Sequence, residues 1–308
     1  MLSLVQQPGR VLVGATVALL ILIWGTTWAA IRISLVGFPP LTGVAIRFAL
    51  AGCVLATAAR LVGVRLGGTR REISLWLVQA LFTFGICYAI VYWAEQWVPS
   101  GLTSVLFSTF SLFIVLWAYL MLPEERLTRV GLLGILVGFG GVAVIFSEDL
   151  SRLGDPRVAT ASFVLLLSPC GAAFAQAVVK RWGKGIHSLT LTAVPMVIAA
   201  MLMGGMAALV ERDRAIVLEP GPIAATLYLA LFGSAVTFSL YFWLLHHVKA
   251  TQLGLMAFGI PVVAVVVGTL ALDETVTARM LLGSALVIVG VVLAMRSPRP
   301  VAAAEPVH

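Results

Sequence analysis

Leu122-Pro123-Glu124-Glu125-Arg126-Leu127-Thr128 returns 149 residues later as Ala271-Leu272-Asp273-Glu274-Thr275-Val276-Thr277. In this register Glu125 falls on Glu274 and Thr128 on Thr277. The same shift lays Tyr92 on Tyr241, Gly134 on Gly283 and Gly141 on Gly290. Matches held in register over three separate apolar segments mark an internal repeat. Working outward from the two copies, the apolar runs read as helices over 11–31, 41–61, 73–96, 101–122 and 130–146, then over 159–179, 188–210, 223–245, 251–272 and 279–295. Each unit has an odd number of helices, so the second must insert upside down relative to the first. The connecting charges agree: Arg60 to Glu72 is strongly basic, whereas its partner Glu211 to Glu219 is net acidic.

Of the 308 residues, 61% are hydrophobic and 11% charged. A soluble surface needs about 25% charged residues, so a water-soluble fold is excluded. Runs of about 20 apolar residues are the length of a membrane span. The expected fold class is therefore an all-α integral membrane protein of ten transmembrane helices arranged as two inverted five-helix repeats, 1–148 and 157–296, with a cytoplasmic tail at 297–308. The first run is longer than a signal-peptide core and reads as an uncleaved anchor. Arg32, Arg152, Arg157, Arg212, Arg214 and Arg279 fall on one side of the bilayer, Arg47 lies within a helix, and the remaining Lys and Arg fall on the other side. The positive-inside rule then puts both termini in the cytoplasm of a cell whose inner membrane holds the protein. The net charge of +7 comes from these loops and forms no stripe for nucleic acid. Cys53, Cys87 and Cys170 lie in apolar runs without CxxC spacing and read as buried, reduced thiols. There is no HExxH, GxSxG or P-loop, and no metal-ligand cluster; His246-His247 reads as a solvated pair at a helix end. No enzyme, catalytic residue, metal or cofactor is expected.

Inverted repeats are the sequence mark of secondary transporters, in which one repeat rocks against the other around a midplane site. Trp24-Gly-Thr-Thr-Trp-Ala-Ala-Ile-Arg32 in the first helix, Pro39-Pro40 followed by Arg47 in the second, and Glu-x-x-Thr after the fourth and ninth resemble the drug/metabolite transporter (DMT) superfamily, and within it the EamA-type ten-helix members. The resemblance implies a basket of two antiparallel units in which helices 1–4 and 6–9 surround a central cavity and helices 5 and 10 are peripheral. It also implies amino-acid or metabolite export by alternating access. The family often carries a proline in the middle of helices 4 and 9. Here Pro261 supplies a hinge in helix 9, while Leu112 stands opposite it; Pro169 and Pro195 add breaks to helices 6 and 7. The second unit is thus expected to be the more deformable.

Trp24 and Trp28, and Tyr88 and Tyr92, are each four residues apart and share a helix face. With Tyr241 and the mid-helix amide of Gln176 they form the candidate substrate-binding set, an aromatic pocket for a small amphipathic solute; the competing reading is interfacial or packing aromatics. Arg47 needs a partner inside the membrane, and Glu95 at similar depth is the expected ion pair, ordering a gate; the alternative for Arg47 is a substrate carboxylate. Glu125 and Glu274 read as structural. Gly131, Gly134, Gly138 and Gly141, with Gly283 and Gly290, allow close packing of helices 5 and 10, or a homodimer through them if the protein is not a monomer. With no acid in the first helix, proton-driven extrusion of cationic drugs is disfavoured, and neutral or zwitterionic solutes fit better. The other readings are a carrier of a drug or sugar derivative, and a membrane scaffold or sensor without transport.

Overall fold

In the computed structural model, residues 9–121, 128–147, 155–247 and 256–295 are described. Glu125, Arg152, Lys249 and the tail 297–308 lie outside them. The described residues form ten helices: α1 (Arg10–Gly37), α2 (Pro40–Leu61), α3 (Arg70–Ala94), α4 (Ser100–Met121), α5 (Arg129–Phe146), α6 (Arg157–Trp182), α7 (Thr190–Val210), α8 (Pro220–Ala230, Leu231–Val236 and Thr237–His247), α9 (Met256–Leu272) and α10 (Ala278–Met295). The first eight are long and apolar enough to cross a membrane; α9 and α10 contribute shorter apolar stretches. The protein is a multi-pass membrane protein.

The contacts exchange between units as inversion requires. α1 packs on α9 as α6 packs on α4; α3 packs on α7 as α8 packs on α2. The pairs α2–α7, α4–α9 and α5–α10 join each helix to its own mate. The α5–α10 seam explains its glycines. A Cβ on Gly290 would lie 2.3 Å from the Gly138 nitrogen, and one on Gly141 2.6 Å from the Gly283 carbonyl oxygen. These glycine faces are used inside the chain, in the close packing of helices 5 and 10.

α1 runs six residues past its expected end, so Arg32 lies well within it. Its Nη1 donates to the carbonyls of Glu95 (2.8 Å) and Val98 (3.0 Å), closing the C-terminus of α3. Cys87 is buried, but Cys53 is exposed on the outer face of α2 beside Leu50 and Val54, a small apolar side chain facing lipid instead of the core. α3 and α8 each contain a π-helical stretch, Gln79–Ile86 and Leu231–Val236. These end 150 residues apart, and Ala80-Leu81-Phe82 and Trp93 then match Ala230-Leu231-Phe232 and Trp243. The second unit is one residue shorter between Trp243 and Thr277 than the first between Trp93 and Thr128. Within the third helices Tyr88 therefore stands opposite Phe238, and Tyr92 opposite Phe242 rather than Tyr241.

The hinge asymmetry also changes. α6 breaks at Leu166, ahead of Pro169, and Pro195 and Pro261 lie within α7 and α9. α4 breaks without proline at Ser108 and Thr109, whose hydroxyls donate to the carbonyls of Val105 and Leu106 (2.6 Å each). Hydroxyls that bond back to the preceding turn weaken a helix locally, so the first unit has its own soft point.

At one face of the bundle, hydrogen bonds tie the two repeats together. The Glu274 carboxylate accepts from Ser100 N (2.6 Å), Ser100 Oγ (3.0 Å) and Gly101 N (3.0 Å) at the start of α4. Glu211 accepts from Leu41 N, Thr42 N and Thr42 Oγ1 (2.9 Å each) at the start of α2. Both acids thus satisfy orphan N–H groups and the positive helix end of the opposite repeat. Thr128 and Thr277 cap α5 and α10 as N-caps, accepting from Gly131 N and Met280 N (3.1 Å each). At the opposite face, a cavity of about 550 Å³ opens between Ser188, Leu189, Ser239 and Trp243.

Candidate functional site

The π-helical stretch of α8 decides what surrounds Arg47. A π turn frees backbone groups from the regular ladder, and such turns concentrate at functional sites. Here the Gly233 carbonyl accepts from Arg47 Nη2 (3.2 Å), and the Ser234 hydroxyl accepts from Nε (2.9 Å). Gly233 leaves room for the approach, since a Cβ there would come within 2.8 Å of Thr27 Cγ2 on α1 and 3.5 Å of Arg47 Nη2. Arg47 is 1% exposed and lies about 10 Å into α2 from Pro40, at 1.5 Å per residue. It therefore joins the two repeats deep inside the bundle.

The expected ion pair with Glu95 is not formed. Among the described residues no carboxylate lies within 4.0 Å of Arg47, and neither oxygen of the fully buried Glu95 has a hydrogen-bond partner. The physical reason lies in the end of α3: Arg32 holds Glu95 by its backbone, and Arg47 finds neutral acceptors on α8. Arg47 Nη1 and the hydroxyl of Tyr92 are also buried without partners. A buried charge without a counter-charge carries a desolvation cost of several kcal/mol.

Around the guanidinium is a continuous aromatic wall. Its carbon lies 4.7 Å from the ring centroid of Tyr88 and 5.5 Å from that of Phe48. Rings then follow edge to face from Tyr88 to Phe48 (4.9 Å), Phe84 (5.3 Å), Phe238 (5.4 Å) and Trp24 (5.8 Å), and Trp24 meets Tyr241 at 5.6 Å. Tyr92 is wholly buried, its ring 3.1 Å from where a Gly43 Cβ would stand. The structure thus brings Tyr88 and Tyr92 to Arg47, while Trp24 and Tyr241 pack on each other in a neighbouring cluster that Phe238 links to the wall. Trp28 is buried next door against Phe107 (5.2 Å), its Nε1 without a partner. Gln176 is half-buried on α6 and joins none of these contacts, and Pro261 is buried in α9. Gly25, between the two tryptophans, lets α1 lie against α9: a Cβ there would be 2.5 Å from Val263.

Sequence reasoning missed Ser234, Gly233, Phe48, Phe84 and Phe238. The small pair Gly233-Ser234 in an apolar helix was a readable signal for a backbone group approached by another side chain; the phenylalanines carried none beyond hydrophobicity. Also missed were the Cys87–Ser168 contact (3.1 Å) joining α3 to α6, and the bond from the Thr83 hydroxyl to the Gln79 side chain in the π turn.

Comparison with known proteins places this architecture. The EamA-like transporter family matches twice, over residues 12–147 and 159–296. The inner membrane transporter YedA of Escherichia coli is 31% identical over 286 residues, covering 92% of this chain and 90% of its own. The transporter YoaV of Bacillus subtilis is 23% identical, covering 88% of this chain and 92% of its own. A crystal structure sharing 19% identity superposes with a TM-score of 0.66 over 93% of this chain and 97% of that one, a likeness of fold. The chain therefore belongs to the EamA-like transporter family, as a multi-pass membrane transporter.

Proposed function

We propose that the protein is a secondary transporter that exports amino acids or related small metabolites across the inner membrane by alternating access. The observation that carries this reading is the junction at Arg47, where a buried cation of the first repeat is held by the π turn of the second inside a wall of aromatic rings. Rocking one repeat against the other must remake that junction, so whatever binds there is coupled to the change of state. The lining set is Trp24, Tyr88, Tyr92 and Tyr241, with Trp28 and Gln176 in reserve. In this reading the latched face of Glu274 and Glu211 is extracytoplasmic, both termini are cytoplasmic, and the cavity at Ser239 and Trp243 leads inward. The similarity to a protein named as an inner membrane transporter supports the location.

The test is counterflow in proteoliposomes with a panel of radiolabelled amino acids. Exchange of at least one, lowered by Trp24→Ala or Tyr88→Ala at equal expression, supports the reading. No flux of any, with folding verified, refutes it.

A further inference from the structure

Resting on that transport reading, we propose that Arg47 and Tyr92 form a carboxylate-binding site, so that the cargo is a small carboxylate with an apolar or aromatic body. Three features of the junction converge on it. First, the guanidinium is 1% exposed yet has no acidic partner within 4.0 Å among the described residues. Its two hydrogen bonds run to a hydroxyl and a carbonyl, which satisfy donors but cancel no charge. Second, the donors left over match a carboxylate. Arg47 Nη1 and the Tyr92 hydroxyl are buried beside each other, and neither makes a well-formed hydrogen bond to a protein group. An anion accepting from a guanidinium and a phenol is held by charge-assisted bonds, the strong class of hydrogen bond. Third, Tyr88, Phe48, Phe84 and Phe238 offer ring surface, and Thr27 a methyl group, to the rest of the molecule.

This arrangement discriminates by charge. An amine or amide with the same ring brings no anion to Arg47 and places a donor against donors, which a site built for an acceptor rejects strongly. Arg32 is occupied at the carbonyls of Glu95 and Val98, so it does not compete for the anion. Glu95, the carboxylate closest in influence to Arg47, is fixed at the end of α3 and makes no bond to it. The counter-charge is supplied by the cargo, and it is brought only when cargo is present.

The experiment uses the purified full chain and four probes with one ring in common: L-phenylalanine, phenylpyruvate, L-phenylalaninamide and phenethylamine. Thermal unfolding in detergent reads binding without requiring flux, because a ligand of the folded state alone raises Tm. Counterflow competition is read alongside. The two acids are expected to raise Tm and compete; the amide and the amine do so at least about tenfold less well, the worth of a lost charge-assisted bond. Tyr92→Phe keeps the buried ring and removes one hydroxyl that makes no well-formed hydrogen bond in the fold. It is expected to raise KM for the acids about tenfold with kcat little changed, and Arg47→Gln to abolish the preference for acids. Binding of the amide within threefold of phenylalanine, protection by none of the acids, or an unchanged KM in Tyr92→Phe overturns the proposal. If phenylpyruvate binds and phenylalanine does not, the carboxylate site stands and the amino-acid assignment falls. Flux of amino acids with no preference for the acid leaves export standing and removes the site.

Discussion

Glu274→Gln is the substitution that separates a latch from a mere helix cap. The carboxylate of Glu274, between α9 and α10, receives three hydrogen bonds from the start of α4, at 2.6, 3.0 and 3.0 Å. Gly268 is obliged to be glycine for the same reason: a Cβ there would stand 2.4 Å from Glu274 Oε2. Glutamine keeps one carbonyl oxygen for Ser100 N, but its amide nitrogen then faces the N–H of Gly101, donor against donor. Bonds to a charged acceptor contribute about 1.5–3 kcal/mol each. A negative charge at a helix N-terminus contributes about 0.3–1 kcal/mol more. The loss is about 2–4 kcal/mol, and since Glu274 is only half-buried, solvent screening favours the lower end.

If these bonds exist in the closed state and not in the open one, 2 kcal/mol moves the open-to-closed ratio about 30-fold. Ser104, one turn further along α4, is 1% exposed with an unpartnered hydroxyl, so Ser104→Cys is a near-isosteric probe of that face. With Cys53, Cys87 and Cys170 replaced, the rate at which a membrane-impermeant maleimide labels Ser104→Cys is expected to rise about 30-fold when Glu274→Gln is added. A rate within threefold of the parent, at an unchanged melting temperature, would refute the latch and leave Glu274 a cap that does not open.

Three further outcomes follow from the packing. Gly141→Ala forces a Cβ to 2.6 Å from the Gly283 carbonyl and should destabilise by about 1–3 kcal/mol, whereas Gly140→Ala, with nothing within 4 Å, should be neutral or stabilising; equal melting temperatures for the two would contradict the seam. Replacing both hydroxyls at the α4 break, Ser108→Ala with Thr109→Val, removes two back-bonds of 2.6 Å and should stiffen α4, lowering flux severalfold with binding unchanged; undiminished flux would show that the break is not a hinge. Glu95→Gln removes no hydrogen bond, because neither carboxylate oxygen has one. It should leave flux and its pH profile as they are, and loss of the pH dependence would identify Glu95 as a proton carrier.

What was legible in the sequence follows from what each feature depends on. The ten spans could be read because hydrocarbon demands continuous apolar length. The inversion could be read because an odd helix count leaves no other way to repeat. The end of α1 was read six residues short because a charge near a helix end looks like a stop; only the three-dimensional position of the Glu95 and Val98 carbonyls shows why α1 continues to Gly37. Glu274 was legible as structural, but not the helix it serves. Pairing across repeats has no local signature, and the acid sits 174 residues from its donor at Ser100.

The site shows the same division more sharply. That Arg47 needed a partner was a statement about energy and could be made from the sequence; which partner it has is a statement about geometry. Depth along a helix made Glu95 the obvious choice, yet depth ignores azimuth, and Arg47 instead turns toward the π stretch of α8. That turn matters to the mechanism. An Arg47–Glu95 pair would neutralise the charge within the first repeat in every state. Neutral acceptors on the second repeat hold the guanidinium in place while leaving its charge for something else to meet. In the proposed reading, a central cation held at two of its nitrogens but unmet in charge has an empty state that is costly to rearrange and a loaded state that is cheaper. On the same proposal, that difference couples the rocking of the repeats to the presence of an anion.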